Sequence, residues 1–373
     1  MSESGLQILF LVSSLNSGGA ERVASVLCNA WAERGDAVTV IPTYSGGGGS
    51  FYRFHPKVQV RFLADAVKRR RLEPGYVARM RTLARMVRDA GPDVVVSFLS
   101  NVNTSAVVSA GRMGVPIVMS ERSDPQHMPM SRLLRLACNL TYPRAKALVV
   151  QTKAVEAKVG RYFRLPKLVT TIPNPLPEAI GSMQCLARAD APRKTLVSVG
   201  RLSEEKQVHR MIDAFASVAA QFPQWDYAIY GDGPLRAALQ MQIDRLQLSE
   251  RVTLKGNTTA PWDAMAQAHA FVMASRFEGF PNALLEAMGL GLPCVVFDCE
   301  SGPREISRNG QDALLVPLND QPALAGALLQ LLGDAALREQ LGSRARQSVR
   351  ERYGLPRVLS EWDAVFKAVG AVS

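Results

Sequence analysis

The chain has 373 residues, of which 47% are apolar and 21% charged, a composition that excludes a disordered or fibrous protein. No stretch reaches the ~18 consecutive apolar residues of a membrane span, and the start, MSESGLQILFLVSS, lacks the basic region of a signal peptide. Five scattered cysteines without a CxxC pair argue against a disulfide framework or a zinc site. At about 100–200 residues per domain, we expect a two-domain protein of the cytoplasm.

The two halves of the chain differ in charge. Residues 1–173 contain 24 lysines and arginines against 11 acidic residues, a net charge of +13, whereas the remainder has 20 against 22. Such a basic half suits nucleic acid, an anionic membrane surface or a polyanionic substrate as a partner.

Short apolar runs alternate with helical patterns along the first half. The run ILFLV at 8–12 predicts a buried strand, and apolar residues at helical spacing predict a helix over 19–34. Similar runs predict strands at 37–41, 94–98, 116–119, 147–150 and 169–172. Continuous apolar strands separated by helices are typical of a parallel sheet covered on both faces.

The second half repeats this scheme after a proline-rich connection, PNPLP at 173–177, which suits an interdomain linker. Strands are predicted at 195–199, 227–230, 252–254, 270–273 and 294–297. The tail from Gln321 to about Val369 is predicted to be helical, with a break near residues 354–356. We therefore expect an α/β protein with two doubly wound, Rossmann-like domains facing a cleft.

The familiar catalytic signatures GxxxxGK[ST], HExxH and GxSxG do not occur in the sequence, and its four histidines show no metal-ligand spacing. Gly18 and Gly19 instead follow the first strand and open a helix. Paired glycines allow the backbone to approach a ligand, and a helix N-terminus attracts an anion. A tight strand-to-helix turn without any ligand explains the pair equally well.

The segment SRFEGFPNALLEAM is more specific. Glu278 lies in a glycine-containing loop after a predicted strand, and Glu286 lies about one turn inside the following helix. Both carboxylates are expected at the carboxyl edge of a parallel sheet, where α/β proteins bind ligands and where they can accept hydrogen bonds from sugar hydroxyls. The alternative is a surface role for Glu278 and a favourable helix-dipole position for Glu286.

Two further loops lie at predicted strand ends. GRLSEEK brings Arg201 and Lys206 towards the same edge, where they can neutralise a leaving diphosphate or remain solvated surface charges. YGDGP contains Gly231 and Gly233, and this tight turn allows the backbone to come close to a base or a sugar.

In this order and spacing, GGAERV, GRLSEEK, IYGDGP and EGFPNALLEAMGLGLPCV resemble the retaining glycosyltransferases of family 4, which have the GT-B fold. The resemblance covers nearly the whole chain, and the Glu-x7-Glu region is its most specific part. It implies that residues 176–354 hold a nucleotide-sugar donor. Residues 1–175 would hold the acceptor, and a helix at about 355–373 would pack back onto them.

The resemblance also implies roles for single residues. Arg201 and Lys206 would bind the donor phosphates, Glu286 the ribose hydroxyls, and Glu278 the transferred hexose. Gly18 and Gly19 would approach the diphosphate from the other domain. Backbone N–H groups would be offered by the run Gly279, Phe280, Pro281, Asn282 and Ala283. Members of the family work without a bound metal, so we expect neither a metal nor another cofactor.

One position departs from the family pattern. Many members carry a histidine after the N-domain strand that is predicted here at 116–119, whereas this chain continues with Ser120, Glu121 and Arg122. Glu121 is expected to take that sugar-contacting place, with His127 as the alternative.

A basic segment, KRRRLEPGYVARMRTLARMVR at 68–88, holds eight basic residues and one acid. Helical spacing groups its apolar and basic side chains into two stripes: Tyr76, Met80, Leu83 and Val87 on one, Arg81, Arg85 and Arg88 on the other. The arginines are expected to face anionic lipid or the pyrophosphate of a lipid-linked acceptor. A solvated basic face is the alternative, and without interleaved aromatic residues a nucleic-acid partner is not expected.

The sequence therefore predicts a retaining glycosyltransferase that moves a hexose or N-acetylhexosamine to a lipid-linked or polysaccharide acceptor at the inner face of the cell membrane. UDP is favoured over GDP as the nucleotide. A transferase with a soluble acceptor and a nucleotide-sugar-binding protein without turnover are the alternatives. The donor sugar, the linkage, the acceptor and the oligomeric state stay open.

Overall fold

The computed structural model describes residues 5–16, 18–46, 49–68, 73–183 and 190–371. The chain divides into two compact units, the first formed by residues 1–175 and 356–373 and the second by residues 176–355. Each unit contains its own parallel sheet and its own hydrophobic core.

The first unit contains a seven-stranded parallel sheet within its described residues, in the order β3-β2-β1-β4-β5-β6-β7. Its strands are β1 Gln7–Val12, β2 Ala37–Pro42, β3 Gln59–Val60, β4 Val94–Phe98, β5 Ile117–Ser120, β6 Ala147–Val150 and β7 Leu168–Thr171. Its helices before the linker are α1 Gly19–Glu33, α2 Leu63–Ala66, α3 Gly75–Ala90, α4 Ser100–Ala110, α5 Arg132–Thr141 and α6 Lys153–Val159.

Alternation along β1 shows why this sheet is covered on both faces. Ile8 and Phe10 enter a core with Trp31 of α1, whereas Leu9 and Leu11 enter a second core with Leu83 of α3. Successive side chains of a strand point to opposite faces, so a continuous apolar run requires helices on both sides.

The second unit contains a six-stranded parallel sheet, in the order β10-β9-β8-β11-β12-β13, among its described residues. Its strands are β8 Lys194–Val199, β9 Trp225–Tyr230, β10 Val252–Gly256, β11 Ala270–Met273, β12 Cys294–Asp298 and β13 Leu314–Pro317. Its helices are α7 Glu178–Ser182, α8 Val208–Ala219, α9 Arg236–Arg245, α10 Pro261–Ala266, α11 Asn282–Leu290, α12 Pro303–Ile306, α13 Gln321–Gly333 and α14 Ala335–Tyr353.

The last helix, α15 Leu355–Ala368, belongs to the first unit although it follows the second in sequence. Its Trp362 is buried and meets Trp31 edge to face, with ring centroids 5.9 Å apart. Arg34, just after α1, pairs with Asp363 at 2.7 Å. The core of the first unit is therefore completed by the C-terminal end of the chain.

The helical tail has one more break than the sequence pattern indicates. α13 ends at Gly333, and the Asp334 carboxylate accepts the backbone N–H of Leu337 at 2.9 Å, which caps α14. A side-chain oxygen at an N-cap satisfies an otherwise free helix donor, so it starts a new helix without a proline. None of the described helices is both long enough and apolar enough to cross a lipid bilayer.

Candidate active site

Three neighbouring strands of the second sheet, β8, β11 and β12, deliver loops to the same carboxyl edge. A short 3-10 turn, Glu204–Lys206, follows β8, and the segment 274–281 follows β11. Because parallel strands end on one side of the sheet, their loops form a ligand-binding edge.

The centre of this edge is an ion pair between Lys206 and Glu278. The Lys206 Nζ donates to Glu278 Oε1 at 2.7 Å, and both side chains are partly buried. Burial alone would lower the pKa of Lys206, but the charge of Glu278 and the hydrogen bond to it outweigh burial and raise that pKa. Lys206 is therefore a fixed positive charge, and the structure brings together two residues that the sequence assigned to one site.

Backbone contacts hold the turn that carries Lys206. The Glu205 carbonyl accepts the N–H of Arg276 at 2.7 Å, which ties the turn to the loop after β11. The Ser203 hydroxyl donates to the Glu205 carboxylate at 2.6 Å. Gln207 then takes a left-handed conformation, with φ of 47°, and starts α8 directly afterwards. The position of Lys206 is thus set by the backbone on both sides of it.

Packing also fixes the start of α11. The Gly279 carbonyl accepts the Ser301 hydroxyl at 3.1 Å, and Phe280 packs on the ring of Tyr353 with centroids 5.9 Å apart. Gly302 leaves room for Pro281, since a Cβ at residue 302 would lie 2.3 Å from the proline Cδ. A proline has no N–H, so Pro281 cannot donate to a ligand.

The other predicted residues of this run, Asn282 and Ala283, are half-buried in the first turn of α11. A helix N-terminus carries a partial positive charge that favours phosphate groups. Glu286, further along the same helix, is only 2% exposed.

Arg201 is exposed in the loop after β8. Its charge affects Glu205. Burial alone would raise the pKa of Glu205, but the hydrogen bond from Ser203 and the charges of Lys206 and Arg201 lower that pKa below its usual value. The structure thus places a second cation five residues before Lys206 and leaves its side chain exposed.

Packing between two loops explains why residues 231 and 233 are glycines. This reason is separate from the contact with a base or a sugar that the sequence predicts. A Cβ at Gly231 would lie 1.8 Å from the Gly200 carbonyl oxygen, and one at Gly233 would lie 2.4 Å from that of Leu202. The N–H of Leu202 donates to the Asp232 carbonyl at 3.0 Å. Both glycines are therefore needed where the loop after β9 packs on the loop that carries Arg201.

In the first unit, Gly18 is extended at the N-cap of α1 and Gly19 is exposed as the first helical residue. A Cβ on Gly18 would lie 2.2 Å from an oxygen of the Glu21 carboxylate. The other oxygen of that carboxylate accepts the Ser14 hydroxyl at 2.8 Å. Tyr52 donates to the Gly18 carbonyl at 3.1 Å. This turn is therefore shaped by its own side chains.

Glu121, for which the sequence predicts a sugar contact, has a carboxylate that is enclosed by side chains of its own unit. It is 1% exposed, at the end of β5. One oxygen accepts the Ser100 hydroxyl at 2.9 Å, and the other accepts the Asn103 amide at 3.1 Å and the Tyr142 hydroxyl. Burial raises the pKa of Glu121, and these hydrogen bonds oppose the rise only in part. His127, the alternative, is half-buried in the following loop.

The predicted basic stripe is only partly exposed. Arg81 pairs with Glu73 at 3.0 Å and donates to the Lys68 carbonyl at 2.8 Å, so it faces the chain and not solvent. Arg85 and Arg88 are exposed. In the apolar stripe, Tyr76 is 55% exposed, whereas its other members are buried: Met80, Leu83 and Val87. Residues 69–72 of the segment lie outside the described residues.

Several residues at the edge of the second sheet escaped the sequence interpretation. Cys299, just after β12, is buried, and its pKa is raised to about 12 by burial and by the charge of Glu278. Ser203, Arg276 and Ser301 fix the loops through the bonds described above. The rule that the first residues after each parallel strand share an edge points to Cys299, because a strand is predicted at 294–297.

Two family models match the chain on either side of the linker. "Glycosyl transferase 4-like domain" matches residues 18–175, and "Glycosyl transferases group 1" matches residues 187–348. The chain belongs to glycosyltransferase family 4. Its two parallel-sheet α/β units are those of the GT-B fold.

Curated relatives share moderate identity with this glycosyltransferase. The Campylobacter jejuni protein named "GalNAc-alpha-(1->4)-GalNAc-alpha-(1->3)-diNAcBac-PP-undecaprenol alpha-1,4-N-acetyl-D-galactosaminyltransferase" is 24% identical over 361 residues, 96% of this chain and 97% of that one. An exopolysaccharide phosphotransferase of Streptomyces coelicolor is 36% identical over 232 residues, 61% of this chain but only 24% of its own length.

Among solved structures, Anabaena HepE in complex with UDP has a TM-score of 0.78 at 20% identity and matches 97% of this chain and 99% of its own. At this identity the likeness establishes the fold alone.

Proposed function

We propose that this enzyme is a retaining transferase that moves a hexose or N-acetylhexosamine from a nucleotide sugar, with UDP as the nucleotide, to a lipid-linked glycan. The observation that carries the proposal is the Lys206–Glu278 pair, 2.7 Å long, beside the N-terminus of α11. A cation and a helix N-terminus suit a diphosphate, and the adjacent carboxylate suits a sugar hydroxyl.

In the proposed reaction the bond between the sugar C1 and the diphosphate oxygen breaks, and its electron pair stays on that oxygen. The acceptor hydroxyl oxygen bonds to C1 on the same face, and its proton leaves with the diphosphate. Negative charge develops on the diphosphate, where Lys206 and Arg201 stabilise it electrostatically. Glu278 accepts a hydroxyl of the sugar and keeps Lys206 oriented, and Glu286 accepts the ribose hydroxyls.

Protein cations supply the positive charge for the diphosphate in this proposal, so transfer is expected to proceed without a bound metal. Activity that persists in excess EDTA supports this. Loss of activity that Mg²⁺ or Mn²⁺ restores contradicts it.

The acceptor is proposed from similarity and charge. The name of the Campylobacter jejuni relative contains a diphosphate-linked undecaprenol, and that relative matches this chain along nearly its whole length. The first 173 residues carry a net charge of +13, which favours an anionic acceptor at the inner face of the cell membrane. Residues 1–175 are therefore proposed to hold the acceptor and residues 176–354 the donor.

A thermal-shift panel of UDP and GDP sugars identifies the donor, because a ligand that binds only the folded state raises its stability. Release of UDP is then measured with an undecaprenyl-diphosphate-linked glycan, and the anomeric configuration of the product is read by NMR. An α-linked product from an α-linked donor supports retention. Donor binding without UDP release for any acceptor would leave a binding protein instead.

Variants assign the residues in the same assay. Lys206→Ala and Arg201→Ala are each expected to lower kcat/KM by ~100-fold or more, since each removes a preorganised charge from the diphosphate. Glu286→Gln is expected to weaken donor binding by ~10- to 100-fold through lost charge-assisted hydrogen bonds. Arg245→Ala is the control, because Arg245 is exposed at the far end of α9. Near wild-type turnover in both cation variants would remove them from the site.

A further inference from the structure

Helix α5, on the first unit, carries three exposed leucines on one side. Leu133 is 77% exposed, Leu136 56% and Leu140 54%. At 100° per residue these positions fall within about 60° of arc, so they form one continuous apolar strip. Its opposite side packs on the protein through Cys138 and Leu134, which contact the core beneath α3 and α4. The strip is therefore an outward face of a helix that is anchored on its inner side.

Positive charge surrounds this strip. Arg132 and Arg135 on α5 are exposed, as are Arg144 and Lys146 just beyond it. No aspartate or glutamate occurs anywhere between Asp124 and Glu156. An apolar strip with exposed cations on and just after the same helix is the pattern of a helix that lies in the interface of an anionic membrane.

The same outer side continues onto the neighbouring helices. α3, α4 and α5 pack next to one another over one face of the sheet. Exposed side chains on the first two helices are Tyr76, Val77, Arg85, Arg88 and Asp89 of α3 and Val108 of α4. Basic and apolar side chains are thus exposed on all or part of this helix layer, and Asp89 is the one acidic residue on the three helices.

We propose that α5 docks this enzyme on anionic phospholipid, with Leu133, Leu136 and Leu140 among the acyl chains and Arg132 and Arg135 at the headgroups. The inference extends the proposed function, since a lipid-linked acceptor requires the enzyme at a membrane. A strip of three leucines is small for a protein partner, because a stable interface buries about 800 Å² on each side. Insertion of leucines into a bilayer, together with attraction of arginines to anionic headgroups, does not require an interface of that size.

Vesicle flotation tests this surface without donor or acceptor. The probe is phosphatidylcholine vesicles containing about 30 mol% phosphatidylglycerol at low salt, with pure phosphatidylcholine for comparison. Leu133→Gln/Leu136→Gln/Leu140→Gln is expected to weaken binding to the anionic vesicles by roughly 100-fold. Met241→Gln, on exposed α9 of the second unit, is the matched control and should float as the unchanged protein does.

The dependence of vesicle binding on salt concentration separates the contribution of the arginines from that of the leucines. Arg132→Gln/Arg135→Gln is expected to weaken binding by roughly 20-fold at low salt and far less at about 0.5 M, because headgroup attraction is screened. The effect of the leucine substitutions should persist at high salt. Thermal stability and donor binding of every variant should stay unchanged, since these side chains are exposed.

Three results would overturn the docking surface. The first is unaltered flotation of the triple leucine variant, and the second is equal binding to neutral and anionic vesicles. The third is a dimer in sedimentation that the leucine substitutions dissociate, which would assign the strip to a second copy of the chain. UDP release with the undecaprenyl-diphosphate-linked glycan in detergent, without vesicles, is measured separately. Failed docking with intact UDP release leaves the proposed function standing, and intact docking with failed UDP release leaves the docking surface standing.

Discussion

Glu121 and Glu278 each follow a strand of a parallel sheet, but their surroundings differ. Three neutral donors enclose Glu121, whereas Glu278 faces the Lys206 ammonium at 2.7 Å. A buried carboxyl among neutral groups favours its protonated form. The same residue type thus serves packing in the first unit and electrostatics in the second.

Glu121→Gln tests this difference through pH. Because burial raises its pKa above the usual 4.5, the folded state holds a proton that the unfolded state releases. The contribution of Glu121 to stability is full below pH 4.5 and is lost as the pH rises through the pKa of Glu121 in the folded protein. Relative to the unchanged protein, the variant should therefore gain unfolding free energy, on the order of 1 kcal/mol, between pH 5 and pH 8.

Denaturant unfolding at those two pH values measures the effect. Glu33→Gln, an exposed position on α1, is the control and should show no pH-dependent difference. If Glu121→Gln keeps its stability at both pH values but loses transfer activity, Glu121 acts on the acceptor and not on the fold.

Among the elements, most predicted strands and the motif loops occur where the sequence pattern indicates. ILFLV, AFVM and CVVF are apolar runs, and their burial on both faces follows from that composition alone. The two-residue β3 and the half-buried β13 escaped prediction, because short or half-polar strands lack such a run. The break at Asp334 depends on a side-chain cap that periodicity does not detect.

Side-chain partners were harder to predict than elements. Lys206 and Glu278 are 72 residues apart, and only the order of β8 and β11 makes them neighbours. The enclosure of Glu121 depends on Asn103 and Tyr142, which come from two different helical segments. The pairing of Arg81 with Glu73 spans the start of α3, and helical spacing alone does not predict this partner.

The loops after β8 and β9 depend on Gly231. Its φ of 135° lies in the region that side chains rarely adopt, and a Cβ would lie 1.8 Å from the Gly200 carbonyl oxygen. Gly231→Ala is therefore expected to destabilise the second unit by about 3 kcal/mol or more. Gly326→Ala in α13 is the matched control, since its Cβ meets nothing within 4 Å, and should stabilise by about 0.5–1 kcal/mol.

Chemical denaturation of both variants measures these changes in stability. Thermal shifts with the donor that the nucleotide-sugar panel identifies report whether the loop after β9 affects donor binding. Equal stability of Gly231→Ala and the unchanged protein would mean that the two loops separate easily. A stable variant that has lost donor binding would instead support the ligand contact expected from the sequence.

At the scale of the whole molecule, each unit has its own core, but the first depends on both ends of the chain. Strand β1 is the first element of this unit and α15 is its last, and the entire second unit lies between them in sequence. Trp362 of α15 joins these two parts of the chain, because its ring packs on Trp31 of α1 with centroids 5.9 Å apart. The first unit therefore cannot complete its core until the second has been synthesised.

Trp362→Ala tests this dependence. Removing a buried tryptophan leaves a cavity, so the first unit should lose about 3–5 kcal/mol of stability. The second unit keeps its own core, and a nucleotide-sugar donor should still raise its unfolding temperature. Calorimetry with and without donor is expected to show two transitions, of which only the donor-insensitive one moves down. Lys367→Ala, exposed on the same helix, should leave both in place. An equal fall of both transitions would mean that the units unfold together, and that α15 supports the second unit as well as its own core.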